Sequence, residues 1–106
     1  MLRNIFGVKQ AAGHEAALYV TPAITGESNF LRVEVRGARI PDIPAVAVSM
    51  PDMKMPAERV ALTSSGTGSY HAENIRFSMS GKWHVSVLER RGTRTAELTS
   101  FDIQVR

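Results

Sequence analysis

Apolar and polar residues alternate with a period of two along most of this chain, and that pattern commits it to strands rather than helices. Leu31, Val33 and Val35 alternate with Arg32, Glu34 and Arg36; Val46, Val48 and Met50 alternate with Ala45, Ala47 and Ser49. The same holds for Ile75, Phe77 and Met79, for Trp83, Val85 and Val87, and for Phe101, Ile103 and Val105. Leu18-Tyr19-Val20 and Val60 to Leu62 are shorter runs. Turn signals separate them: Pro22 to Asn29, Gly37 to Pro44, Pro51 to Pro56, Ser64 to Gly68, Ser80-Gly81 and Arg91-Gly92. Strands recurring at roughly 10–14-residue intervals predict an all-β fold, an antiparallel β-sandwich of about seven strands with one buried face per sheet. Val33, Val35, Val48, Phe77, Trp83, Val85 and Phe101 are its candidate core. The one helix-like stretch, Ala11 to Ala17, is short and contains Gly13, so residues 1–15 are expected to be a lead-in and 16–106 the sandwich domain.

Length and composition narrow the function. With 106 residues there is room for one domain and no separate catalytic half. The cysteine count is zero, which excludes disulfides, thiolate metal sites and cysteine nucleophiles. A net charge of +3 spread over dispersed arginines does not make a nucleic-acid surface, and Arg90 to Arg94 has the form of a hairpin tip. No apolar run approaches the ~20 residues that span a bilayer, so no membrane insertion of this segment is expected. Met1 to Val8 lacks the apolar core of a secretion signal, so the protein either stays in the cytoplasm or is cut from a longer chain. Nucleophile-elbow, phosphate-loop and dinucleotide motifs are missing, and a non-enzymatic role is expected.

Methionine carries the candidate chemistry. Three of the five methionines fall in Met50-Pro51-Asp52-Met53-Lys54-Met55-Pro56, a proline-bounded, charged loop. Exposed thioethers gain little from packing, and thioether sulfur is a soft ligand that selects Cu(I). A loop folded back to cap the open end of the sandwich, with flexible methionines filling irregular gaps, is the competing account. If strands run alternately up and down, this third connection shares a pole with the fifth, Phe77 to His84. Met50, Met53, Met55, Met79 and His84 then converge as candidate metal ligands. By parity Met50 and Met79 face inward and His84 faces opposite to Trp83, while Met53 and Met55 share one face of an extended segment. His71 and His14 fall at the far pole.

These motifs resemble a known family. Met50-Pro51-x-Met53-x-Met55, then Gly66-x-Gly68-x-Tyr70, then Phe77-Ser78-Met79-Ser80-Gly81-x-Trp83 look like the YtkA-like domain, a family that includes FixH-like proteins and is similar to CopC-like copper-resistance domains. The resemblance covers roughly Ala16 to Arg106 and carries over onto Met50, Met53, Met55 and Met79. It implies an immunoglobulin-like sandwich in a periplasmic or other extracytoplasmic setting, often anchored or fused to larger copper-handling or metal-efflux proteins, hence a membrane-protein or efflux-system partner. Members usually bear a signal or anchor, so the chain is expected to be an excised domain. Members often place histidine where Met55 stands.

The expected function is therefore a soft-metal domain, binding or relaying copper as Cu(I). The alternative is a structural or protein-interaction module that docks through its methionine-rich apolar pole. A small apolar-ligand binder is a third option.

Overall fold

Alternating side chains sort each strand into a buried and a solvated face, and the burial follows residue by residue. The computed structural model describes residues 5–11, 13–37, 41–54 and 56–106, with side chains from residue 13 onward. Among the described residues nine strands form: β1 (Ile5–Ala11), β2 (His14–Thr21), β3 (Asn29–Gly37), β4 (Ala45–Ser49), β5 (Glu58–Ala61), β6 (Thr63–Gly66), β7 (Ser69–Ile75), β8 (Gly81–Arg91) and β9 (Arg94–Val105). A 3-10 turn, Pro51–Met53, follows β4. One sheet has the order β1-β2-β3-β7-β6 and the other β5-β4-β8-β9. Every pairing is antiparallel. With β1 set aside, these orders are those of an immunoglobulin-like sandwich.

The core lies between the sheets. Leu18, Leu31, Val33, Val46, Val85 and Val87 are fully enclosed, and Phe77, Phe101, Trp83, Val35 and Val48 are buried with them. All seven residues expected in the core from alternation are there.

Three segments differ from the sequence reading. Residues 5–11, taken as lead-in, pair with β2 as β1, and the helix-like stretch is mostly strand, Ala11 closing β1 and His14 to Ala17 opening β2, with Gly13 between them at φ 79°. Tertiary pairing outweighs the weak helical preference of its alanines, because Ala16 is wholly buried as a strand residue. Ser64 to Gly68, taken as a turn, overlaps β6, an exposed strand of small polar residues held by pairing with β7. The run Ile75 to Met79, taken as strand, leaves the sheet at Ile75. Asn74 adopts φ 58° where the β3–β7 register shifts, the ladder resumes at Ile75 opposite Asn29, and beyond that end Phe77 reaches the core while Met79 does not.

Register fixes the two poles. The connection after Thr21, the methionine loop, the segment after Ile75 and the end of β9 gather at one end; Arg106 exchanges backbone bonds there with Ala23 and Thr25 (3.0 and 2.7 Å). The β8–β9 turn, the β6–β7 turn and His14 lie at the other, where the Tyr70 hydroxyl donates to the Pro41 carbonyl at 3.0 Å. Asn29, only 1% exposed, braces the first end. Its Oδ1 accepts from the Ala23 and Ile24 amides at 2.7 and 3.1 Å. Its Nδ2 donates towards the carbonyls of Ile24, Glu27 and Ile75 at 2.9–3.1 Å.

Candidate functional site

The methionine loop opens on a hydrogen-bonded turn. Met50 leaves β4 extended at φ −116°, Pro51 opens the 3-10 turn, and the Met53 amide donates to the Met50 carbonyl at 3.0 Å. Lys54 closes the turn at φ 52° by donating to the Pro51 carbonyl at 3.3 Å. Nothing in the turn is buried, and Met53 is 49% exposed. Met50 is the opposite: it is buried in the core cluster, and its Cε lies 2.8 Å from where a Cβ on Gly81 would stand. Met55 lies outside the described residues.

Met79 is presented by the neighbouring connection. The Trp83 indole Nε1 donates to the Met79 carbonyl at 2.9 Å, and the Phe77 ring packs on Trp83 at 5.2 Å, tilted by 60°. The backbone at Met79 is thus tied to the core, while its side chain stays 40% exposed. Ser49 pairs with His84 across β4 and β8, and Gly81 abuts Met50, so Met53 and Met79 stand at the same end of the sandwich.

His84 is on the outer face of its sheet, opposite Trp83 as alternation requires. Its Nδ1 bonds the Asp102 carboxylate at 2.9 Å on the adjacent strand, leaving Nε2 as the free ring nitrogen. His71 lies on the outer face of the other sheet, stacked on Phe30 at 5.6 Å and bonded through Nδ1 to the Ser65 hydroxyl. His14 pairs with Gly37 at the far end. Among the described residues no group of three or more His, Asp or Glu is placed to hold a metal ion. Met53 and Met79 place exposed thioethers at this pole, a donor type that soft ions prefer to hard ones. At the opposite pole, burial pushes the Tyr70 phenol above its ordinary range, reinforced by the Asp42 charge and opposed by a backbone hydrogen bond.

The molecule is thus an immunoglobulin-like sandwich that displays thioethers at one pole. The YtkA-like family model matches residues 9–88, and the chain belongs to that family. Neither the curated proteins nor the solved structures yield a match.

Two features went unread in the sequence. Asn29 carried no signal beyond its place in a turn-rich stretch. Glu58 and Glu73 face one cleft from strands of different sheets, and only the pairing brings them together.

Proposed function

We propose that this YtkA-like domain binds or relays copper as Cu(I) at its methionine pole, as a non-enzymatic, extracytoplasmic part of a larger copper-handling or metal-efflux system. The observation that carries this reading is the pair Met53 and Met79, two exposed thioethers held by separate connections at one end of the fold. An exposed methionine contributes little to stability, so its presence twice on one rim is better accounted for by ligation. Met53 and Met79 are the proposed ligands, Met55 extends the set, and Met50 supports the loop from within the core. His84 joins only through Nε2, with Asp102 fixing its tautomer.

Thioethers carry no titrating proton, so a sulfur-only site holds Cu(I) equally at about pH 7.5 and about pH 5.5, on either side of the ordinary imidazole pKa of ~6.5. Anaerobic titration against a chromophoric Cu(I) chelator at the two pH values measures this. Met53→Leu with Met79→Leu keeps volume and apolarity and removes both sulfurs; binding is expected to fall at least tenfold while stability stays within ~1.5 kcal/mol. Retention of Cu(I) by that double variant, or no binding by the parent, overturns the metal reading and leaves the docking module.

A further inference from the structure

The chain has no cysteine, so thioethers are its only sulfur, and the fold sorts them by access. Met53 is 49% exposed and Met79 40%, whereas Met50 is 5% exposed, with its Cε packed towards Gly81. Met1 and Met55 lie outside the described residues. Both exposed residues are held by their backbones rather than by their sulfurs. The Met53 amide donates to the Met50 carbonyl at 3.0 Å, in a turn that buries no side chain. The Met79 carbonyl accepts from the Trp83 indole Nε1 at 2.9 Å. Neither belongs to the core cluster that contains Met50.

We infer that Met53 and Met79 are modification sites, at which a peroxide-class oxidant forms methionine sulfoxide in the folded protein and so disarms the methionine pole reversibly. The thioether lone pair attacks one oxygen of hydrogen peroxide: an S–O bond forms and the O–O bond breaks. The hydroxide that leaves takes the proton of the transferred oxygen and becomes water. Sulfur gives up two electrons and the peroxide takes them, so no other reactant is needed. Oxidation turns an apolar side chain into a polar, chiral one. At Met50 that change would bury an S=O group without a partner in the core, and the packing denies the oxidant entry. At Met53 and Met79 the new oxygen meets water, and the backbone bonds that shape the two connections are untouched. The converted sulfur then presents a hard oxygen where a soft ion needs a thioether. Sulfoxides at the surface also stay within reach of the reductases, one per sulfoxide epimer, that regenerate methionine. The loss of copper binding rests on the metal reading above; the modification itself follows from access alone.

The metal-free full chain is treated with hydrogen peroxide, digested with trypsin at intervals and mapped by tandem mass spectrometry. Peptide 77–82 carries Met79, and fragment ions of peptide 40–54 separate Met50 from Met53. Met53 and Met79 are expected to oxidise roughly eight to ten times faster than Met50, the ratio of their exposures, with near-UV circular dichroism unchanged when both are converted. Oxidation of Met50 at an equal rate, or loss of the dichroism before Met53 and Met79 react, overturns the proposal. Silver(I), a soft ion that stays monovalent in air, then reads the pole before oxidation, after it, and after treatment with both epimer-specific reductases. Binding is expected to fall at least tenfold on oxidation and to return on reduction. Affinity that oxidation leaves unchanged, or that reduction does not restore, overturns the reversible switch. An untreated chain that binds no silver overturns the metal reading instead, and the mapped rates still decide the modification.

Discussion

Removing the Asn29 side chain should cost this protein several kcal/mol of its stability. Truncation to alanine deletes every bond that side chain makes at the methionine pole, and two of them are buried: Ala23 amide to Oδ1 and Nδ2 to the Ile75 carbonyl. A buried donor or acceptor left without a partner costs ~1–3 kcal/mol, so these two alone give ~2–6 kcal/mol. The groups on Ile24 and Glu27 are only part-buried, so water reaches them and they add little. Domains of this kind have ~5–15 kcal/mol in total. Urea unfolding followed by Trp83 emission measures the difference, with the midpoint falling and the slope preserved.

Asn29→Asp sharpens the argument. The carboxylate still accepts from Ala23 and Ile24, but its second oxygen now faces the carbonyls to which Nδ2 donated, and acceptor meets acceptor. Protonation restores one donor, so the folded state raises the pKa of this Asp above its ordinary ~3.9. A raised folded pKa means that stability present below the unfolded pKa is lost as pH rises through the folded one. The gap between Asn29→Asp and the parent should therefore widen from pH 3 towards neutrality and close on acidification. A loss below ~1 kcal/mol for Asn29→Ala, or a pH-independent gap for Asn29→Asp, refutes the bracing role.

Trp83→Ala should cost ~3–5 kcal/mol, read by circular dichroism because the emission is lost, since it empties a core position and orphans the Met79 carbonyl. Tyr70→Phe loses one hydrogen bond at neutral pH, ~0.5–1.5 kcal/mol, but removes an alkaline instability. The raised phenol pKa favours the neutral form in the fold, so the parent loses stability as pH rises above about 10 and the variant does not show that loss, measured by denaturant midpoints from pH 8 to 11. Gly81→Ala should cost ~1–3 kcal/mol from its φ of 131°, with Met50 forced aside; Met50→Leu should cost less than ~1.5 kcal/mol and leave Cu(I) affinity unchanged.

Alternation located the core because burial of one sheet face is imposed strand by strand, and the parity of connections located the methionine pole because antiparallel strands must return. Neither says where a strand ends. Met79 would face inward if β7 continued, yet the strand ends at Ile75, one residue past the left-handed Asn74, and the thioether reaches solvent. β6 escaped notice because Thr63, Ser64 and Ser65 have no apolar face to bury and are strand only through their partner. The outer face of β8 shows the same limit at its sharpest. Counting outward from the Arg91–Arg94 closure of the β8–β9 hairpin pairs His84 with Phe101, a buried ring on the other face of the sheet. The ladder instead shifts between Val87 and Leu88, with Leu98 the unpaired extra residue of β9. Leu98 and Phe101 are both buried although they differ in parity, which only a bulge allows, and that spacing was visible in the sequence. The shift brings His84 opposite Asp102, so one extra residue decides that the imidazole meets a carboxylate on the sheet surface.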